Sequence, residues 1–238
     1  MLQAPARWAT LAAMRARSRP SPPLTERIDT WIFDLDNTLY PARSNLFAQI
    51  DRRMSEYIAG LLGLGYDAAR RLQKQYYRRH GTTLNGLMVN HGIEPKDYLE
   101  YVHDIDLTPL SPAPDLDRAL ARLPGRKLVF TNGSNAHAER VMNRLGVRDR
   151  FDAVYDIEAA QFRPKPLPET YARFVDRHGV ESRRAVMFED SAANLEPAAA
   201  LGMITVWVRE GDAEGTDRAP VDHVTADLVS WLAALRPG

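Results

Sequence analysis

Short apolar runs recur along the chain, separated by stretches in which apolar residues return every three or four positions. The runs predict buried strands, and the stretches predict helices with one apolar face. From residue 115 onward strand and helix alternate. This alternation predicts an α/β fold on a doubly wound parallel sheet with right-handed crossovers. The predicted strands are residues 31–33, 127–130, 153–155, 185–188 and 204–208.

A different pattern fills the region between the first two strands. Apolar residues at helical spacing predict three or four short helices between about residues 45 and 107, with glycines such as Gly63 and Gly81 at their ends. Asp67 is in a position to cap the second of these helices. The proline-rich residues 108–114 then predict a linker back to the sheet. We therefore expect a small helical bundle inserted after the first strand.

Residues 1–26 are basic and have no acidic residue before Glu26. This composition is typical of an organelle transit peptide, but we favour the simpler interpretation that it is a disordered extension. The chain has no cysteine, which suits a reducing compartment. We expect a cytoplasmic protein, and the basic extension leaves organelle targeting open.

The charge balance limits the possible partners. Lys and Arg together number 31, as do Asp and Glu, so the formal net charge is zero. No global field favours a nucleic acid polymer or an anionic membrane, and no apolar run is long enough to span a bilayer. Any binding of an anion must come from a local site.

Two carboxylates follow the first predicted strand where it would leave the core. Asp34 and Asp36 are two positions apart, and Thr38 follows them. Unpaired charges beside a core are costly, whereas two carboxylates at a strand end can bind a divalent cation, and one can attack an electrophile. Taken alone, the same residues could form a turn in which one aspartate caps the backbone and the other is solvated.

Polar residues also follow other segments that would reach the same edge of the sheet, where ligands bind in folds of this kind. Each has an ordinary explanation by itself, either as a helix cap or as a solvated lysine between two prolines. Together they form an ordered set that chance does not readily produce. The set consists of Thr131, Asn132, Gly133, Lys165, Glu189 and Asp190.

The ordered motifs Asp-x-Asp-x-Thr, Thr-Asn-Gly, Lys and Glu-Asp resemble those of the haloacid dehalogenase-like hydrolase superfamily, whose members are mostly phosphatases. The resemblance covers about residues 29–210. It implies a Rossmann-like doubly wound core formed by residues 27–43 and 108–238. Residues 44–107 would be an inserted small helical cap of the C1 type.

The resemblance also implies roles for the two aspartates and their neighbours. Asp34 would attack phosphorus and become an aspartyl-phosphate, and Asp36 would act as general acid and then as general base. Magnesium would bind Asp34, Asp190 and the main-chain carbonyl of Asp36, with Glu189 acting through water.

The remaining motif residues would bind the phosphoryl group. Thr131, Asn132 and Gly133 would hold it, and Lys165 would neutralise both this group and the nucleophile. The presence of an acid at position 36 favours ester hydrolysis, because the dehalogenase branch of the superfamily lacks one there.

Residues 34–41 and 76–87 further resemble the pyrimidine 5′-nucleotidase subgroup. We therefore expect a magnesium-dependent phosphatase acting on a small phosphate ester, namely a pyrimidine nucleoside 5′-monophosphate such as UMP or CMP. The alternatives are a phosphatase for phosphoglycolate or a sugar phosphate, and a catalytically silent phosphate-binding regulator. A nicotinamide-binding fold is disfavoured, because no Gly-x-Gly-x-x-Gly turn follows the first strand. The spacing of His80, His91 and His103 does not indicate a zinc site.

Overall fold

A six-stranded, fully parallel sheet forms the centre of the protein. The structure, a computed structural model, describes residues 23–210 and 221–236. The strand order β3-β2-β1-β4-β5-β6 reverses direction at β1, and helices cover both faces, so the predicted α/β fold is confirmed. The strands are β1 Thr30–Phe33, β2 Arg126–Phe130, β3 Ala153–Tyr155, β4 Ala185–Glu189, β5 Ile204–Val208 and β6 His223–Thr225.

The helices follow the predicted pattern closely. The glycines that were expected to end helices lie at helix ends. Several of them, such as Gly63 and Gly146, adopt the left-handed conformation that other residues avoid and that ends a helix. Within the described residues, the helices are α1 Leu24–Arg27, α2 Leu46–Leu62, α3 Tyr66–His80, α4 Thr83–His91, α5 Pro95–His103, α6 Pro114–Ala121, α7 Asn135–Leu145, α8 Pro168–His178, α9 Ala192–Ala200 and α10 Leu228–Ala233.

Several boundary predictions were wrong. Asp67 does not cap α3, because the helix already begins at Tyr66 after an extended Gly65. Residues 24–26, which we assigned to the extension, lie in α1, where the Thr25 hydroxyl donates to the carbonyl of Arg236. The edge strand β6 was missed because its three residues are too short and too exposed to produce an alternating pattern. Most of the predicted extension and residues 211–220 of the predicted polar loop lie outside the described residues.

The central strand explains the unbroken apolar run in the sequence. All four residues of β1 are buried, since it lies between β2 and β4 and is covered on both faces. Trp31 and Phe33 face one apolar cluster, where Phe33 stacks on Phe188 at 4.6 Å, and Ile32 faces the other. The first cluster packs against α6, α7 and α10, and the second packs against α8 and α9.

The register brings three strand ends together. Phe33 lies beside Val129 of β2 and Phe188 of β4, so the residues that follow these positions emerge at one edge of the sheet. Because the strand order reverses at β1, this edge contains the crevice in which parallel sheets bind ligands.

Helices α2 to α5 form the insertion between β1 and β2. Their apolar side chains, including Ile50, Ile58, Leu87 and Val102, join the same cluster as Phe33. Within the described residues, no helix is both long and apolar enough to cross a lipid bilayer.

Helices α3 and α4 pack closely against each other at Gly86. A Cβ atom on Gly86 would lie 2.3 Å from the Cβ atom of Tyr76, a distance that real Cβ atoms do not adopt. Gly86 is therefore required for packing.

We expect Gly86→Ala to destabilise the protein by ~1–3 kcal/mol, because the clash is with an atom next to the backbone. Gly60→Ala in α2 is the matched control, since a Cβ there would meet nothing within 4 Å. The control should be neutral or stabilising by ~0.5–1 kcal/mol. Urea unfolding measures both variants, and equal stabilities would contradict the packing role.

Candidate active site

One cavity of about 300 Å³ lies between the carboxyl edge of the sheet and the inserted helices. The structure brings every residue of the predicted site to this cavity, although they are far apart in sequence. The predicted residues that line it are Asp34, Asp36, Thr131, Asn132, Gly133, Lys165, Glu189 and Asp190.

The ammonium group of Lys165 lies at the floor of the cavity and is 1% exposed. Its Nζ atom donates to Asp34 Oδ1 at 2.7 Å, to Glu189 Oε2 at 2.6 Å and to the carbonyl of Phe130 at 2.7 Å. Burial alone would lower the pKa of Lys165, but the two carboxylates raise it above its usual range. The lysine is therefore a fixed positive charge with all three of its donors used.

The side chain of Asn132 fixes the main chain at Lys165. Its Oδ1 accepts from the Lys165 N–H at 2.8 Å, and its Nδ2 donates to the Lys165 carbonyl at 3.2 Å. The Asn132 side chain therefore positions the lysine, and the role of Asn132 in binding a phosphoryl group stays a prediction.

Asp34 follows β1 and is 6% exposed. One carboxylate oxygen accepts from Lys165, and the other accepts from the Thr38 hydroxyl at 3.2 Å. Burial and the neighbouring Glu189 raise the pKa of Asp34 to about 7, against the opposing effect of Lys165. The group is thus held in place while its charge is only partly compensated.

A third carboxylate, that of Asp190, lies beside the two that pair with Lys165. Oxygen atoms of Asp34, Glu189 and Asp190 all lie within 4.8 Å of one another. Burial raises the pKa of Glu189 to about 7, although the ammonium group of Lys165 acts to lower it. Burial and the charge of Asp34 raise the pKa of Asp190 to about 6. An all-oxygen, anionic set of this kind fits a hard divalent cation, which would balance the excess negative charge.

The two acids after β4 are held in place by different donors. Glu189 is the last residue of the strand, and its Oε1 accepts from the Ser191 N–H at 3.3 Å and from Asn194 Nδ2 at 3.1 Å. Asp190 accepts from Asn37 Nδ2 at 3.2 Å, so a residue of the first motif also orients it.

Asp36 has a different environment from that of Asp34. Its Oδ1 accepts from the Tyr40 hydroxyl at 2.6 Å and lies 2.8 Å from His137 Nε2. Burial would raise the pKa of Asp36, but His137 and Tyr40 lower it to about 2. Sequence reasoning missed both partners. Tyr40 belongs to the quoted motif, but only the fold brings His137 of α7 to it.

The loop after β2 is organised by its own hydrogen bonds. Thr131 Oγ1 accepts from the Gly133 N–H at 2.9 Å, and the Ser134 hydroxyl caps α7 by accepting from the His137 N–H at 3.3 Å. Ser134 therefore acts as the helix cap that was the simpler interpretation. Thr131 is 2% exposed and lines the cavity.

The inserted helices form the other wall of the cavity. Apolar side chains of Phe47, Ile50 and Leu99 line it beside the polar side chains of Asp51 and Lys74. Among residues 76–87, which resemble the pyrimidine 5′-nucleotidase subgroup, those that line the cavity are Tyr77, Thr82, Thr83 and Leu84.

The histidines near the insertion have structural partners. His91 Nε2 lies 2.6 Å from the Tyr76 hydroxyl, and His103 Nδ1 lies 3.0 Å from the Ser134 hydroxyl. Among the described residues, the group suited to a metal ion consists of carboxylates and includes no histidine.

A parallel sheet whose carboxyl edge carries an acidic cluster, a buried lysine and a covered cavity is the architecture of an α/β enzyme that acts on small molecules. The comparisons with known proteins identify the family. A family model described as haloacid dehalogenase-like hydrolase matches residues 28–202. The chain belongs to this hydrolase family, so the superfamily prediction is confirmed.

Individual relatives agree with this assignment. The chain is 30% identical over 223 residues to phosphate metabolism protein 8 of Saccharomyces cerevisiae, covering 85% of this chain and 68% of that protein. It is 28% identical over 195 residues to fructose-1-phosphate phosphatase YqaB of Escherichia coli, covering 77% of this chain and 98% of that protein. The crystal structure of a HAD phosphatase from Thermococcus onnurineus matches the fold with a TM-score of 0.62 at 20% identity. The match covers 89% of this chain and 100% of that chain.

We expect Lys165→Met to cost ~3–5 kcal/mol of folding free energy, because two buried carboxylates lose their cation. Asp34 and Glu189 already have raised pKa values, and loss of the ammonium would raise them further. A raised carboxyl pKa favours the folded state at low pH, and this contribution is lost as pH rises through the folded-state pKa. The variant should therefore lose more stability at about pH 8 than at about pH 5.

Lys127→Met is the matched control, since that buried ammonium donates to the carbonyls of Leu123 and Gly125. Urea unfolding at both pH values, with chelator present, measures the two variants. A Lys165→Met loss that is independent of pH would contradict the charge-crowding account.

Proposed function

We propose that this hydrolase is a magnesium-dependent phosphatase that forms an aspartyl-phosphate on Asp34. The observation that carries the proposal is the contact of one buried ammonium, Lys165, with both Asp34 and Glu189. This contact supports the proposal because it would hold the Asp34 carboxylate beside a bound cation, in a cavity large enough for a small ester. The name of the Escherichia coli relative, a phosphatase, supports the reaction class.

In the first step, a carboxylate oxygen of Asp34 attacks phosphorus in line with the leaving alcohol. The new O–P bond forms as the ester P–O bond breaks, and Asp36 transfers a proton to the departing oxygen. Thr131 and the Asn132–Gly133 loop bind the phosphoryl oxygens, for which the Gly133 N–H would exchange its present acceptor, Thr131.

In the second step, water attacks the phosphorus of the aspartyl-phosphate. Asp36 now accepts the proton of that water, phosphate leaves, and the Asp34 carboxylate is restored. Lys165 stays paired throughout, so its charge is available at both stages without rearrangement.

Asp34, Asp190 and the main-chain carbonyl of Asp36 would hold magnesium, with Glu189 acting through water. A bound cation of this kind supplies charge neutralisation for the phosphoryl oxygens. In the structure, the pKa of Asp34 is raised and that of Asp36 is lowered, opposite to what a nucleophile and an acid need. A cation beside Asp34 and a phosphate dianion beside Asp36 would each shift the pKa in the required direction.

The substrate that we propose is a pyrimidine nucleoside 5′-monophosphate. The upper cavity combines an apolar wall, including Phe47 and Leu99, with polar groups at Asp51 and Lys74. This combination suits a flat base with apolar faces and a polar edge. Residues 44–107 would act as the cap that selects the leaving group, in a cytoplasmic enzyme.

A sugar phosphate is the second candidate substrate, because a 28% identical relative is named for fructose-1-phosphate. A catalytically silent phosphate-binding regulator is disfavoured, since all four motifs are present and each of them contributes residues to the lining of one cavity.

We expect Asp34→Asn to abolish release of phosphate, because an amide cannot form the covalent intermediate. The measurement is phosphate release from UMP, CMP, fructose-1-phosphate and phosphoglycolate with magnesium present. Retained activity of the variant would reject Asp34 as nucleophile, whereas turnover of a sugar phosphate alone would reject the nucleotide assignment.

We expect magnesium to raise the melting temperature more at about pH 8 than at about pH 5.5. A ligand stabilises the folded state that binds it. At low pH, magnesium must first displace protons from the Asp34 and Asp190 carboxyl groups, which weakens its binding. The raised pKa values of Asp34 and Asp190 define this direction. Thermal melts with and without magnesium measure it, and Asp190→Asn should reduce the shift. An equal shift at both pH values would contradict the prediction.

A further inference from the structure

The two oxygens of the Asp36 carboxyl group have different environments. Oδ1 is occupied by the Tyr40 hydroxyl and by His137 Nε2. Oδ2 lies over the loop after β2, 3.7 Å from the position that a Cβ atom on Gly133 would take. Asp36 and Gly133 both line the cavity. The structure therefore leaves Oδ2 for contact with a substrate held by that loop.

The two partners of Oδ1 come from different parts of the fold. Tyr40 lies four residues after Asp36 and belongs to the same loop. His137 lies in the first turn of α7, immediately after the loop that carries Thr131. The contact with His137 therefore ties the expected proton donor to the expected phosphate-binding loop, whereas the Tyr40 contact is internal to its own loop.

The ring of His137 is held rigidly. It is 1% exposed and stacks on the ring of His103, with centroids 4.4 Å apart and planes 10° apart. Ser134 holds both residues, since its hydroxyl contacts His103 Nδ1 and accepts from the His137 N–H. This packing fixes where Nε2 can be.

The surroundings of the two ring nitrogens of His137 indicate which of them carries the hydrogen. His137 Nδ1 is buried and has no hydrogen-bond partner. An ionised Asp36 Oδ1 can only accept, so the hydrogen belongs on Nε2. With Tyr40 and His137 both donating to Oδ1, the carboxyl group cannot rotate away from this orientation without losing two hydrogen bonds.

We propose that His137 is a positioning residue that holds the Asp36 carboxyl group with Oδ2 facing the leaving-group oxygen. The inference rests on the proposed function. When the ester P–O bond breaks, the O–H bond on Oδ2 breaks with it, and the proton joins the leaving oxygen. The electron pair of that O–H bond remains on Asp36, which becomes a carboxylate.

The test uses the dependence of the first step on the leaving group. An alkoxide needs a proton to depart, whereas dinitrophenolate is a weak base and departs without one. The parameter kcat/KM reports only on the steps up to and including departure of the leaving group. It therefore does not include hydrolysis of the aspartyl-phosphate, a step that is common to all substrates. His137→Leu and His137→Gln are compared with the wild type on UMP, fructose-1-phosphate and dinitrophenyl phosphate.

We expect His137→Leu to lose on the order of 100-fold in kcat/KM on the alkyl esters and less than ~3-fold on dinitrophenyl phosphate, because general acid catalysis typically contributes at least this much. His137→Gln should recover most of the alkyl-ester activity, since its amide offers an N–H donor at similar reach. His178→Leu is the matched control, another histidine with a buried, unpartnered nitrogen that packs on Phe174 and does not line the cavity. It should leave the ratio between the two classes of ester unchanged.

Equal losses on both classes of ester, or no loss, would overturn the positioning role while leaving the phosphatase assignment intact. Wild-type protein that hydrolyses none of the esters would instead refute the proposed function, and this inference with it. Thermal melts compare the folding of the variants, and partial misfolding cannot produce the expected result, because it would lower the rate on all esters equally.

Discussion

The ammonium group of Lys165 is the interaction on which the site depends. It contacts the residue after β1, the last carbonyl of β2 and the last side chain of β4, so one charge joins three neighbouring strand ends. The ammonium offsets part of the cost of burying carboxylates there. The Asn132 side chain holds the main chain of the lysine, which links the second motif to the third.

The two aspartates of the first motif are two residues apart and have opposite electrostatic environments. Asp34 shares one ammonium with other acids, which leaves excess negative charge and a raised pKa. Asp36 has a histidine and a phenol on one oxygen, which lowers its pKa. This separation of pKa values is opposite to what the proposed roles need, so a cation bound beside Asp34 and a phosphate beside Asp36 would have to shift both pKa values.

Helix α7 connects the site to the inserted helices. Its first turn follows the Thr131 loop and carries His137, and its Arg140 donates to the carbonyls of His103 and Ile105 at 2.9 and 3.0 Å. The segment that leaves the insertion is therefore bound along the helix whose beginning forms part of the site. The position of the insertion and the geometry of the loop after β2 are thus set by the same element.

The sequence alone determined the parallel sheet, nearly all the helices, the superfamily and the polar residues at the strand ends that line the cavity. Apolar periodicity and residues at strand ends are local signals, and β1 and its following acids can be read without knowing what lies beside them. Contacts between distant segments are not local. The pairing of His137 with Asp36 and that of Asn132 with the Lys165 main chain depend on how α7 and the lysine loop pack, and β6 depends on pairing with β5. Only the tertiary structure decided these features, because hydrogen bonds between segments leave no periodic trace in the chain.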